Sequence, residues 1–328
     1  MIKILASTLV AMVIAVLAGP RYIRWLQQRG IGQNIRDLTP ERHIAKQGTP
    51  TMGGVLILVA AFIPYFIFAS KNVPSLVVFI LTFGSGGIGL ADDLIKKRQQ
   101  RSLGLSARVK LGLQVPLVAI AVFIALRFGG VDTSLTVPFL KTGLAIGGFY
   151  YVFAFFLVSG FSNAVNLTDG LDGLAAGTVA VALFALAGIA FLRGETDLAI
   201  FAACLTGACV GFLWYNSHPA AVFMGDTGSL ALGAGLGGMA VVTQTEILVL
   251  LVGGLFVAEA LSVMIQVVSF RLFHKRVFLM TPIHHHFELK GWSETKIIVR
   301  FWIIAAILAA SGFTMYYLSF KQIGIPGR

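Results

Sequence analysis

The chain has 328 residues, of which 57% are hydrophobic and 12% charged, with a formal net charge of +11. Soluble domains carry about 25% charged residues, so a water-soluble enzyme with one buried core is excluded, as are disordered, fibrous and disulfide-stapled chains. A bilayer span needs about 20 apolar residues, and the length has room for about ten.

Apolar segments follow one another at 2–20, 52–70, 75–93, 111–129, 144–161, 174–192, 197–215, 229–245, 247–270 and 301–320. The expected fold class is an all-α polytopic membrane protein of about ten transmembrane helices, forming one integral-membrane domain over 1–328. The 37 glycines suit helices that approach closely in lipid. Cys204 and Cys209 are five apart within one segment, so they face different ways and read as small buried hydrophobes.

The connections alternate in character. Those at 71–75, 130–142, 194–197 and 243–246 are poor in basic residues. Those at 21–51, 92–110, 162–173, 216–228 and 271–300 are long or rich in motifs, and they hold 18 of the 25 Lys and Arg. Cytoplasmic loops carry such an excess, so these connections are expected in the cytoplasm and both termini in the periplasm. Reading the first segment as a cleaved signal peptide would reverse the Arg-rich 21–51 loop and is rejected on that ground. The basic excess is therefore a topology signal, and no nucleic-acid partner is expected.

Nine of the 14 carboxylates share the same side, and Glu259 alone lies within a span. Lys46 and Thr49-Pro-Thr51-Met-Gly-Gly54 open the second segment as a possible anion cradle, without a P-loop signature. Asp92 and Asp93 close the third; adjacent carboxylates point about 100° apart on a helix and can share a wet pocket as a cation site or general base. A solvated helix end balanced by Lys96 and Lys97 is the plainer alternative. Asn166, Asp169 and Asp172 are spaced by three and are expected to form one polar stripe at the start of the sixth segment. Capping would explain only Asp169. Asn216 and Phe223-Met-Gly-Asp226 precede the eighth segment, where a helix N-terminus favours a phosphate bridged to Asp226 by a divalent ion. His284, His285 and His286 are expected in an extended segment, with His284 and His286 on one side, contacting phosphate or moving a proton. Glu259 is either functional or bonded to Ser262 or a neighbouring helix.

Acids, lysines and helix N-termini on one face suit phosphoryl transfer between a soluble phosphorylated substrate and a lipid phosphate. A transporter is the alternative from another class, but its charges would sit near the midplane.

Four stretches carry a family resemblance: GTPTMGG at 48–54, NLTDGLDGLA at 166–175, PAAVFMGDTGSLALG at 219–233 and PIHHHFELKGWSETKIIVRFW at 282–302. From about Ile31 to the last segment the chain resembles the bacterial phospho-N-acetylmuramoyl-pentapeptide transferases, polyprenyl-phosphate N-acetylhexosamine-1-phosphate transferases of peptidoglycan synthesis. DLTP at 37–40 and DDLIKK at 92–97 depart from the family pattern without removing an assigned residue. The His-rich stretch separates the resemblance from relatives that use UDP-N-acetylglucosamine, which remain the nearest alternative.

The resemblance implies a multi-pass inner-membrane enzyme with a cytoplasmic cleft, often a homodimer. It implies that undecaprenyl phosphate, a membrane lipid, receives phospho-MurNAc-pentapeptide from UDP-MurNAc-pentapeptide, giving lipid I and UMP. Mg²⁺ is the implied cofactor, with Asp226 and Asp169 as its expected ligands. Asp92 and Asp93 are the implied acidic pair near the lipid phosphate. Asn166, Asp169 and Asp172 line the nucleotide side, with Asn216 and Phe223 near the uracil. Lys46, Thr51 and Lys96 contact the substrate phosphates, and His284, His285 and His286 the sugar phosphate, with His284 counted among the catalytic groups. Direct in-line attack by the lipid phosphate is expected; the competing route passes through an aspartate-bound intermediate.

Overall fold

A computed structural model describes residues 1–30, 32, 48–99, 104–140 and 143–323. All ten apolar segments become helices: α1 (Ile2–Gln28), α2 (Gly54–Phe68), α3 (Val73–Gln99), α4 (Ala107–Phe128), α5 (Phe149–Thr168), α6 (Leu174–Leu192), α7 (Thr196–Asn216), α8 (Gly225–Val242), the pair α9 (Glu246–Val252) and α10 (Gly254–Phe273), and α12 (Glu294–Ile323). A short helix, α11 (Ile283–Leu289), lies in the last long connection. Eight of these helices are long and apolar enough to cross a membrane, so the chain is a multi-pass all-α membrane protein. The other two long segments have physical reasons to fall short. Helix α2 has 15 residues with Pro64 inside, and glycines dilute the hydropathy of the 18-residue α8.

Three boundaries differ from expectation. The ninth segment breaks at Gly253, where the Phe161 ring occupies the space a side chain would need. Strands β1 (Ser134–Leu135) and β2 (Leu144–Ala145) pair antiparallel, the second taking the start of the apolar segment at 144–161. Consequently α5 starts at Phe149 and runs to Thr168 instead of ending at 161.

Helix α8 is the axis of the bundle. Every residue from Asp226 to Val242 is buried, with α3 and α5 packed most closely around it. A helix with no lipid-facing side gains from small residues, which let neighbouring backbones approach and add dispersion contacts. Gly54 of α2 abuts Gly228, Gly89 of α3 abuts the Asp226 carbonyl, and Gly233 abuts the backbone of Phe161 and Ser162. A Cβ on Gly237 would lie 2.7 Å from Val158 Cα of α5. Around this axis α6 and α7 have 78% of their apolar windows buried, against 22% for α1 and α10, which form the outer, lipid-compatible layer.

The glycine contacts hold the end of α3 against the beginning of α8. Overpacking them costs about 1–3 kcal/mol. Gly89→Ala and Gly233→Ala are expected to lower the melting temperature in detergent. Gly87→Ala, with open space around its Cβ position, is expected to leave it unchanged or raise it slightly.

Candidate active site

The close approach of α3 and α8 gathers three carboxylates. Asp92 and Asp93 lie on α3 and Asp226 in the first turn of α8, and each offers an oxygen within 4.8 Å of the others. All three are buried. Lys96, one turn along α3, places Nζ 2.6 Å from Asp92 Oδ2 and 3.0 Å from Asp226 Oδ1. Lys110, in the first turn of α4, lies 3.1 Å from Asp92 Oδ1 and 2.5 Å from Asp226 Oδ2. Asn166 Nδ2, at the end of α5, donates to Asp226 Oδ1 at 3.2 Å and to Ser229 Oγ at 2.8 Å.

The adjacent aspartates do different work. Asp93 accepts from the Asp226 and Thr227 amides at 3.2 and 3.0 Å and from Thr227 Oγ1 at 2.7 Å. It caps the free N–H groups of α8 from another helix. Asp92 instead meets the two ammonium groups and the Leu105 amide, at 2.6 Å. Gly225 makes the junction possible. Its φ is +74°, and a Cβ would stand 2.8 Å from Asp93 Oδ2 and 3.0 Å from Thr51 Oγ1.

Buried carboxylates in such a group fit a hard divalent cation, which prefers oxygen ligands. Asp92 and Asp226 are the better placed, because their partners are mainly side-chain ammonium groups that a cation can displace. Asp169 lies outside this three-carboxylate group. Desolvation, followed by the nearby Asp226, Asp93 and Asp172 carboxylates, holds its carboxyl well above the ordinary range.

Asn166, Asp169 and Asp172 do not form the expected helical stripe. Asn166 lies in the last turn of α5, Asp169 is its C-cap, and Asp172 lies in the turn leading to Gly173, whose φ of +75° starts α6. The turn sends them to different tasks. Asp172 Oδ2 is 3.0 Å from His218 Nδ1 and accepts from the Ala220 amide at 3.1 Å, while the Asp172 amide donates to Glu294 Oε1 at 2.9 Å. Asn216 accepts from the Gly173 amide at 3.1 Å and donates to the Val222 carbonyl at 2.8 Å, which ties α6 to the loop before α8. Phe223 bonds the cradle segment at both ends: its amide donates to Pro50 at 2.7 Å and its carbonyl accepts from Gly53 at 2.8 Å. Thr51 is thereby brought beside Gly225. Lys46 lies outside the described residues.

The histidines are helical, in α11, so they point three ways instead of sharing one side. His284 is fully buried, with Nδ1 3.0 Å from Glu259 Oε1. His285 Nδ1 is 2.9 Å from Glu288 Oε2, and His286 Nδ1 accepts from the Leu279 amide at 3.1 Å. Glu259 thus takes its side-chain partner from α11, while Ser262 Oγ donates only to its backbone carbonyl. Residue spacing does not single out Lys110 or Glu294 as site residues, whereas His218 lies with Asn216 on the loop before Asp226. The signal for Lys110 is its place in the first turn of an apolar helix, where a lysine opposes the helix dipole and calls for an anionic partner.

The family model for glycosyl transferase family 4 matches residues 75–244, from α3 through α8, and signature 1 of phospho-N-acetylmuramoyl-pentapeptide-transferase matches 46–58. A phospho-N-acetylmuramoyl-pentapeptide-transferase of Rubrobacter xylanophilus is 48% identical over 323 residues, covering 97% of this chain and 98% of the relative. One from Desulfitobacterium hafniense is 45% identical over 327 residues, covering 96% and 98%. A third, from Desulfotalea psychrophila, is 47% identical over 325 residues, covering 94% and 90%. The chain belongs to the phospho-N-acetylmuramoyl-pentapeptide-transferase family. It is a membrane phosphotransferase, and the two matched regions hold both the carboxylate cluster and the cradle that Phe223 stitches to it.

Mn²⁺ is expected to bind the purified protein, with affinity at least about tenfold weaker in Asp226→Asn and in Asp92→Asn, as read by electron paramagnetic resonance. Equal affinity in all three proteins would remove the cluster as a metal site.

Proposed function

We propose that the chain transfers phospho-MurNAc-pentapeptide from UDP-MurNAc-pentapeptide to undecaprenyl phosphate, giving lipid I and UMP as a membrane step of peptidoglycan synthesis. The observation that carries this reading is the buried Asp92–Asp93–Asp226 group with Lys96 and Lys110 over it, in a chain whose relatives carry that name. The topology that goes with it has both termini periplasmic and the site open to the cytoplasm from the inner membrane. The whole chain works as one domain, in a homodimer.

The lipid phosphate oxygen attacks the β-phosphorus of the nucleotide sugar in line. A new P–O bond forms, the bond to the bridging oxygen breaks, and UMP leaves with that oxygen. One phosphoanhydride replaces another, so the step is reversible. Asp92 or Asp93 accepts the last proton of the lipid phosphate. Lys96 and Lys110 neutralise diphosphate charge that develops on the leaving side. Asp226 and Asp92 would hold Mg²⁺, and the ion when bound would supply further neutralisation of the phosphates. Thr51, Asn166, Asp169, Asp172, Asn216 and Phe223 bind the nucleotide, joined by Lys46. His284, His285 and His286 serve the sugar phosphate.

UMP release in detergent is expected to require both substrates and Mg²⁺. It should fall by about 100-fold or more in Asp226→Asn and in Lys110→Met, with UDP-N-acetylglucosamine a poor donor. Turnover without a divalent ion, or equal use of the two nucleotide sugars, would overturn the assignment. Cysteines placed at Lys97 and Lys290 should react with an impermeant thiol reagent only from the cytoplasmic side, and one at Lys71 only from the periplasmic side; the native Cys204 and Cys209 are buried and silent.

A further inference from the structure

Glu259 is the one carboxylate of α10, a helix that otherwise exposes Leu261, Met264, Ile265 and Val268 to the lipid side. It is fully buried. An ionisable group at such a depth is costly and needs a reason, and buried ion pairs contribute little to stability compared with apolar replacements. Its side-chain partner is His284, equally buried, through Nδ1 at 3.0 Å. Carboxylate-to-imidazole bonding of this kind fixes which ring nitrogen carries the hydrogen and which way the other points.

The other nitrogen has a definite direction. His284 Nε2 is buried and has no hydrogen-bond partner among the described residues. It lies against Gly170, where any Cβ would collide with it. Gly170 sits between Asp169 and Asp172 in the turn that joins α5 to α6. The ring of His285 packs beside it, with centroids 4.2 Å apart. A polar atom left bare under a glycine in the substrate-binding turn points to a use outside the resting packing.

We propose that Glu259 is a positioning residue for the transfer reaction. It holds the His284 ring through Nδ1 so that Nε2 is presented, at Gly170, to a phosphate or sugar oxygen of the donor. The inference rests on the transferase reading of the site. Glu259 touches no substrate itself and acts only through the imidazole.

The test compares Glu259→Leu, Glu259→Gln, His284→Leu and the double Glu259→Leu/His284→Leu variant in the full-length protein. Glu259→Leu and His284→Leu are each expected to lower kcat by about 10- to 100-fold, with KM for undecaprenyl phosphate unchanged and melting temperatures near that of the wild type. The double variant should be no slower than the slower single one. Glu259→Gln keeps an oxygen that accepts from Nδ1 and should recover part of the rate. Full activity in Glu259→Leu, losses that multiply in the double variant, or losses that track a fall in melting temperature would overturn the proposal. If Glu259→Leu does not fold, Glu259→Gln decides: a shifted ring resonance with a changed rate supports the proposal, and an unmoved ring resonance or an unchanged rate overturns it. That resonance, the Nδ1–H signal of His284 in ¹⁵N-histidine-labelled protein, should shift in Glu259→Gln whether or not the protein turns over. Wild-type protein that releases no UMP would instead sink the transferase reading, while the resonance still reports on the pair.

Discussion

The amides that begin α8 have no helical acceptors of their own, and Asp93 supplies them from α3. This bond set does more than end a helix neatly. It fixes the position of Asp226 relative to Asp92, because Asp226 is one of the residues whose amide is held. An N-cap normally comes from the residue just before the helix; here that position is Met224, whose side chain cannot cap. Gly225, with its left-handed backbone, leaves the space through which the foreign carboxylate enters. Structural support and chemistry are therefore divided between neighbouring aspartates in one turn.

Close helix packing makes that division possible. Glycines on α2, α3 and α8 bring backbones together where side chains would hold them apart. The cost is a central helix of low hydropathy, tolerable because α3 and α5 enclose it and no lipid reaches it. The reward is a rigid floor under charged groups. Three carboxylates confined within 4.8 Å repel strongly at low dielectric. Lys96 and Lys110 offset this repulsion in the resting chain, and both are long side chains that can swing toward a phosphate.

Around this floor the remaining polar residues form a wall built from several connections. Asn216 ties the loop before α8 to the start of α6, Phe223 ties it to the cradle after residue 48, and Asp172 ties the α5–α6 turn to both His218 and the start of α12. The His-rich helix closes against the same turn through His284 and Gly170. Residues nearly 250 positions apart by sequence thus meet at one end of the bundle.

Composition and hydrophobic segments determined the membrane class and the ten helical segments, because lipid imposes length and polarity on each helix separately. Separate local motifs also marked Asp92 with Asp93, and Asp226, as candidates. Only the tertiary structure decided what each does. The stripe of Asn166, Asp169 and Asp172 dissolved because a chain turn, invisible to residue spacing, fell at Asp169. The histidines became helical after Pro282, and that turned His284 inward to Glu259. Lys110 joined the carboxylates because α4 packs beside α3, a neighbour relation that no local pattern encodes. Periodicity reports how one helix meets its surroundings; which helix supplies a charge's partner depends on packing between segments distant in the chain.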